Sequence, residues 1–327
     1  MIPLSVLDLV PVREGGTVGE ALAATISLAA AAEAANYRRF WVAEHHAMPG
    51  IAGGATAVVL GAVGHATATI RIGSGGIMLP NHNPFVIAEQ FGTLDALFPG
   101  RVDLGLGRAP GASGVIARAL RKDLHQSASA FPHDVVELRA LLEGDPAMPV
   151  VATPGRGARV DLWMLGSSLF GAQLAAQLGL PYAFASHFAP AQLDAALATY
   201  RQQFRASPAL ERPHVMAAMT VIAAETDREA ETIASSQDQS FVRLRSGDPG
   251  QLPPPVPDYR AGLPLAAQAM LEHLSTARAV GAPATVRARI GRFLQRTGAD
   301  EIITSGATFD PAARHRSLAL TTEALAA

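Results

Sequence analysis

Ile70-Arg71-Ile72-Gly73-Ser74-Gly75-Gly76-Ile77-Met78-Leu79-Pro80 is the stretch on which the reading of this chain turns. It opens as an apolar, β-branched run and closes on a proline, the pattern of a buried strand. Glycine weakens a strand and gives it nothing to pack, so Gly73, Gly75 and Gly76 in close succession need a reason. Two reasons are open. Another backbone or a flat ligand approaches the strand closely, or the strand lies in a crowded, bulged interior. What stands at the ends of the neighbouring strands bears on the choice.

Working outward, strand-like and helix-like segments alternate almost throughout. Leu4–Leu9, Arg39–Ala43, the anchor strand, Val102–Leu106, Leu162–Leu165, Tyr182–Ser186, His214–Ala223 and Glu301–Thr304 read as strands. Between and after them, 19–35, 55–66, 84–97, 114–122 with 132–142, 169–178, 190–204, 227–244, 283–297 and 311–324 read as helices. Repeated βα units imply a parallel sheet, and eight in this length point to α/β architecture closed as a (β/α)8 TIM barrel with inserted loops. An open doubly wound sheet is the alternative, but the G-x-G-x-x-G turn after its first strand is missing. Two insertions interrupt the alternation, at about 143–161 and 246–264. The second holds Pro249, Pro253, Pro254, Pro255, Pro257 and Pro264 and is expected to form no regular element. A loop that long is a lid over a site or a disordered excursion. No linker splits the chain, so one domain over 1–327 is expected.

Composition narrows the function. Apolar residues make up 49% and charged residues 17%, which suits a compact protein with a large core. The formal net charge is −2 and no segment gathers basic residues, so nucleic acid is not an expected partner. With no cysteine, thiolate chemistry and disulfides are excluded. The first ten residues lack a basic n-region, and the Ala-rich 21–35 segment is too short and too polar to span a bilayer. A cytoplasmic protein with no membrane association is expected.

In a (β/α)8 barrel the active site lies at the C-terminal ends of the strands. Those ends carry Asp8, then Glu44-His45-His46, then the glycine run with Asn81-His82-Asn83. They also carry Gly107-Arg108, Gly166-Ser167-Ser168 and Ser186-His187. The Gly166-Ser167-Ser168 turn places free helix N–H groups and two hydroxyls together, which suits a phosphate, although serine there also serves simply as an N-cap. Arg108 offers a planar cation for the same anion, or else an ordinary surface ion pair. Adjacent histidines at a strand end point in opposite directions, so only one of His45 and His46 faces the site. The His-x-His pair of a barrel metallohydrolase is missing from strand one, and no metal is expected. An imidazole here suits proton transfer.

Taken together the motifs resemble the bacterial-luciferase-like flavin monooxygenases. The likeness runs through Phe40-Trp41-Val42-Ala43-Glu44-His45-His46, Ile72 to Pro80 and Asn81-His82-Asn83-Pro84. It continues through Leu94-Asp95, the 99–111 stretch from Pro99-Gly100-Arg101 to Ala109-Pro110-Gly111, and Leu165-Gly166-Ser167-Ser168. It ends in Ala183-Phe184-Ala185-Ser186-His187-Phe188 and Ala299-Asp300-Glu301. The single-chain branch carrying Leu-Gly-Ser-Ser and Ala-Ser-His-Phe is the nearer likeness. The resemblance implies a barrel that takes reduced FMN from a separate flavin reductase. The flavin reacts with O2 to a C4a-hydroperoxide that oxygenates a small organic substrate. It further implies a homodimer and a non-proline cis peptide, here Gly75–Gly76. Carried over residue by residue, it assigns proton chemistry to His45 and Glu44. Cofactor contacts fall to Ser74, Gly75, Gly76, Arg108, Gly166, Ser167, Ser168 and His187. Two positions depart from the pattern: a second phosphate arginine of the light-emitting relatives falls near Ala130, and Ala112-Ser113-Gly114 replaces a hydroxyl residue and an aspartate.

Two other functions compete. A deazaflavin (F420)-dependent oxidoreductase would place its phosphate similarly but needs further basic contacts for a longer tail. A non-catalytic flavin-binding protein would keep the site without turnover.

Overall fold

The computed structural model describes residues 2–108, 118–120 and 124–327. In chain order its strands are β1 (Leu4–Asp8), β2 (Arg39–Val42), β3 (Arg71–Met78), β4 (Val102–Gly107), β5 (Asp161–Gly166), β6 (Tyr182–Phe184), β7 (Val215–Ala223), β8 (Arg278–Gly281) and β9 (Glu301–Ser305). Its helices are α1 (Val18–Ala34), α2 (Thr56–Ala66), α3 (Pro84–Leu97), α4 (Leu124–Glu143), α5 (Leu169–Leu178), α6 (Leu193–Gln203), α7 (Asp227–Arg245), α8 (Leu265–Glu272), α9 (Pro283–Thr297) and α10 (Pro311–Ala326). Every strand pairing is parallel. The strands β1 to β7 follow one another round a ring, and β9 closes it between β7 and β1. The expected eight-stranded barrel is therefore the fold.

Several local signals explain why the elements begin and end where they do. Thr17 and Glu20 form a reciprocal capping box at the start of α1. The Asn83 carboxamide caps α3, and Pro84 at the first helical position needs no N–H partner. Gly179 and Gly298 close α5 and α9 in the left-handed conformation that glycine adopts without a Cβ clash.

The structure departs from the sequence reading in several places, one of them helix α8 (Leu265–Glu272), which was not expected. Strand β8 was not expected; it pairs only with the last four residues of β7, outside the ring. The 246–264 insertion is not wholly irregular, because 259–262 forms a 3-10 turn and Leu252 bridges Arg13. The helix expected over 132–142 begins at Leu124 and runs through Pro132. The helix expected over 114–122 falls largely outside the described residues, as does Ala112-Ser113-Gly114.

The glycines of the anchor strand now have their reason. A Cβ on Gly73 would stand 2.6 Å from the Asp103 carbonyl oxygen and 2.8 Å from the Trp41 indole nitrogen. One on Gly75 would stand 2.5 Å from Leu7 Cδ1. Crowding in the barrel is real, and it coincides with a register shift against β4 between Gly75 and Ile77 and a cis peptide at Gly75–Gly76.

An ionic layer lies within the barrel wall. The fully buried Asp103 accepts from Arg39 Nη1 at 2.7 Å, Trp41 Nε1 at 2.9 Å and Arg71 Nη2 at 2.6 Å. Glu301, also buried, takes Arg39 Nε at 3.0 Å and the Ser5 hydroxyl. Among the described residues no helix is long and apolar enough to cross a membrane.

Candidate functional site

A cavity of about 630 Å³ opens at the C-terminal ends of the strands. Its floor is the inward-facing row Leu7, Trp41, Ala43, Gly75, Leu165, Ala183, Ala218 and Ile303, and its sides include Met48, Phe188, Phe241 and Leu252. The floor is apolar because alternate residues of each barrel strand point inward. The 246–264 insertion passes over one side. Leu252 donates its backbone N–H to Val12 at 2.8 Å and accepts from Glu14 at 2.8 Å, while Val12 donates to Gly50 at 2.9 Å. These bonds fasten the strap to the loop after β1.

The two adjacent histidines point apart. His45 lines the cavity, whereas His46 Nε2 contacts Glu44 Oε1 at 2.6 Å. His187, just beyond β6, lines the cavity as well, its ring edge-on to Phe188. The Nδ1 atoms of His45 and His187 are buried without a hydrogen-bond partner among the described residues. Burial lowers the pKa of His45, with a further push from His46 against a pull from Glu44. Burial, reinforced by His45, brings His187 down to about 4. Both imidazoles are thus neutral at pH 7, each with a buried Nδ1 that pairs with nothing among the described residues.

Glu44 is not among the cavity-lining residues. Its carboxylate is 1% exposed, accepts the Met78 N–H at 2.9 Å, and lies 2.8 Å from His82 Nε2 in addition to its contact with His46. Burial alone would raise this carboxyl, but the hydrogen bond and charge of His82, the Met78 N–H and His46 hold it below the usual range. Glu44, His46 and His82 together present three potential ligand atoms within 4.8 Å of one another, a grouping the sequence did not reveal because His82 lies on the next unit. The contacts of 2.6 and 2.8 Å are hydrogen-bond lengths.

The remaining expected residues divide. Gly75 lines the cavity, while the buried Ser74 hydroxyl donates to the Gly105 carbonyl at 2.9 Å, which commits it to the barrel wall. A Cβ on Gly76 would stand 2.6 Å from the Gly105 oxygen, so this glycine answers backbone crowding. Ser168 is the N-cap of α5, yet its hydroxyl makes no capping bond, which leaves the first helix N–H groups free of side-chain partners. The Arg108 guanidinium stacks over Phe170 of α5, 4.0 Å from the ring centroid. The fold thereby brings Arg108 and the Gly166-Ser167-Ser168 turn to one helix start, beside the cavity.

Sequence reasoning missed the far wall. Asp238 on α7 receives Arg260 Nε at 2.7 Å and Nη2 at 3.0 Å, and Arg278 of β8 approaches it at 3.6 Å. Arg278 also grips Glu231 with both terminal nitrogens, at 2.8 and 2.7 Å. On another side Arg314 holds Asp8 at 2.6 Å. These partners are far apart in the chain, and only the three-dimensional fold pairs them.

The family model for luciferase-like monooxygenases matches residues 2–301. A luciferase-like monooxygenase of Escherichia coli strain K12 is 47% identical over 320 residues, covering 98% of this chain and 96% of that one. The N-acetyl-S-alkylcysteine monooxygenase of Bacillus subtilis strain 168 is 37% identical over 76% of this chain and 75% of its own length. The crystal structure of apo-MsnO8 superposes with a TM-score of 0.90 at 35% identity, covering 100% of this chain and 99% of the other. Two more distant structures share the fold: a type II Baeyer–Villiger monooxygenase component from Pseudomonas putida in complex with FMN (TM-score 0.71, 17% identity, 99% and 98% covered) and an F420-dependent secondary alcohol dehydrogenase (0.72, 16%, 99% and 99%).

Proposed function

The chain belongs to the luciferase-like monooxygenases, a family of oxidoreductases, and we propose that it oxygenates a small organic substrate with O2 and reduced FMN delivered by a separate flavin reductase. The observation that carries this reading is the cavity itself. It has a floor without a side chain at Gly75, and two imidazoles, His45 and His187, line it, each with a buried Nδ1 that has no hydrogen-bond partner among the described residues. Such a lining leaves room for a flat ring and sets two imidazoles beside it. Bound reduced flavin would supply the electrons that activate O2, and the protein's part is binding, orientation and shielding. Arg108 and the open N-terminus of α5 would hold the phosphate, since both offer N–H groups to one anion. His45, whose ring lines the cavity, would hold or pass a proton. The strap through Leu252 and the apolar sides would keep bulk water away from the reacting centre.

An anaerobic titration with reduced FMN, followed by admission of O2 in the presence of candidate substrates, tests the reading. Saturable FMN uptake with substrate-dependent O2 consumption supports it. Failure to bind FMN, with binding of F420 instead, transfers the site to the deazaflavin chemistry named for the structurally similar dehydrogenase. FMN uptake with no substrate-dependent O2 consumption leaves a flavin-binding protein without turnover.

A further inference from the structure

The cavity is not electrically neutral. Arg245, Arg260, Arg278 and Arg314 line it, against Asp8 and Asp238, in a chain whose overall formal charge is −2. Glu231, outside the lining, pairs with Arg278, and the wall still keeps more positive than negative charge. Three of the four guanidiniums are held in place by carboxylates. Arg260 uses Nε and Nη2 on Asp238, and Arg278 uses Nη1 and Nη2 on Glu231, so Arg260 Nη1 and Arg278 Nε remain for another acceptor among the described residues. Arg245 has only the face of Phe241, 5.2 Å away, as a recorded partner among the described residues. Positive charge that exceeds its partners in a low-dielectric cleft concentrates the field on whatever enters. Guanidinium groups held in one orientation lose little freedom on gripping a second carboxylate.

Position in the barrel gives the wall its direction. Along the closed ring β3 and β7 are separated by four steps either way, so they stand opposite each other. Gly75 lies on β3, while Asp238 and Arg245 lie on the helix that follows β7, and Arg278 lies on the strand paired to the end of β7. Apolar side chains, among them Met48, Phe188 and Leu252, make up further parts of the cavity wall. We propose that Arg260 and Arg278, organised around Asp238, together with Arg245 farther along the same helix as Asp238, form a subsite for the carboxylate of an amphiphilic substrate, whose apolar body crosses the mouth toward Gly75 and His45. This substrate class rests on the oxygenase reading given above. The subsite itself is a property of the empty cavity and is tested without any cofactor.

Calorimetric titration of the flavin-free chain with octanoate and, separately, with octanamide decides the matter. The two probes share shape and apolar length and differ in charge. Octanoate is expected to bind about tenfold more tightly than octanamide, with the difference shrinking at high salt. R245Q, a change at an exposed position, and R260Q are each expected to weaken octanoate several-fold while leaving octanamide unchanged. Octanoate that binds no better than octanamide, or not at all, overturns the proposal, as does octanoate binding indifferent to both substitutions. Because FMN is absent throughout, failure here leaves the flavin titration to stand or fall by itself.

Discussion

The Glu44 carboxylate accepts the Met78 backbone N–H at 2.9 Å and thereby ties the end of β2 to the end of β3. Glu44 donates its own N–H to the Gly76 carbonyl at 3.4 Å, so the residue holds the close of the glycine run with both its backbone and its side chain. Glu44→Ala removes an acceptor from the Met78 N–H and from two imidazoles, and the expected cost is about 1–3 kcal/mol. The carboxyl's pKa is held below its usual range, so its contribution is complete above the ordinary glutamate pKa and fades as pH falls through the lower folded value. Urea unfolding of wild type and Glu44→Ala at pH 7 and in acid checks both points. The gap between the two proteins narrows in acid, and a gap that widened would refute the assignment.

Much of the scaffold was legible because its signals are local. The spans 84–97, 169–178 and 283–297 are legible in the sequence with the bounds the structure has, and the structure shows local marks at their ends: Asn83 caps the first, Pro84 and Pro283 stand at first helical positions, and Gly179 and Gly298 stop the other two. The opposed directions of His45 and His46 followed from the two-residue period of a strand. The rest depends on contacts between distant residues. Nothing near Glu44 in the chain announces His82, and nothing near Asp238 announces Arg260 or Arg278. Strand β8 was missed because four residues bounded by Arg278 and Gly281 carry too little periodicity to stand out. The glycines of β3 had looked like a choice between crowding and ligand access. Gly73 and Gly76 answer the first, and Gly75 is crowded too and also lines the cavity.

Asp103 anchors the ionic layer and is fully buried. Asp103→Ala leaves the Trp41 indole N–H without its acceptor and takes one carboxylate from Arg39 and Arg71, which keep Glu301 and Asp161, and breaking a buried pair from one side costs roughly 3–5 kcal/mol. Asp103→Asn preserves shape but not charge and is expected to fall between wild type and alanine. A drop in the urea midpoint with an unchanged slope checks the stability effect, and Asp103→Ala at wild-type stability would refute it.

Glu33, on α1, accepts the N–H groups of Ala68, Thr69 and Ile70 at 3.0, 2.6 and 2.8 Å. Its slight burial works upward, but those backbone bonds prevail and bring the carboxyl down to about 2. A lowered carboxyl stabilises the fold above the unfolded pKa and loses that effect as pH falls through the folded one. Glu33→Gln is therefore less stable than wild type at pH 7, by about 1–3 kcal/mol. Thermal melts between pH 7 and pH 2 should show the two curves converging below about pH 4.5.

Gly50 lies where the loop after β2 crosses the strap. A Cβ there would stand 2.2 Å from the Gly250 carbonyl oxygen, and the neighbour is backbone, which cannot rotate away. Gly50→Ala is expected to push the strap outward at a cost of about 1–3 kcal/mol. The bonds joining Leu252 to Val12 and Glu14 hold the strap, so their loosening exposes 246–264 to protease. Limited proteolysis that cuts Gly50→Ala in this segment faster than wild type confirms the strap's attachment, and equal rates contradict it.

Arg108 supplies the sharpest test of cofactor placement, because its proposed partner can be removed from the ligand instead of the protein. The guanidinium is stacked on Phe170 at the start of α5, where Ser168 leaves the helix N–H groups without a side-chain cap. If a flavin phosphate occupies that corner, Arg108→Ala removes a charge-assisted contact made to FMN and not to riboflavin. The expected effect is about a tenfold loss of affinity or more for reduced FMN, since bonds to charged groups contribute roughly 1.5–3 kcal/mol. Reduced riboflavin, which lacks the phosphate, should bind wild type and variant alike. Phe170 stays in place in the variant, so loss of the stacked cation alone should leave the cavity intact. Equal weakening of both flavins would mean that Arg108 supports the fold, and no change in either would move the phosphate elsewhere.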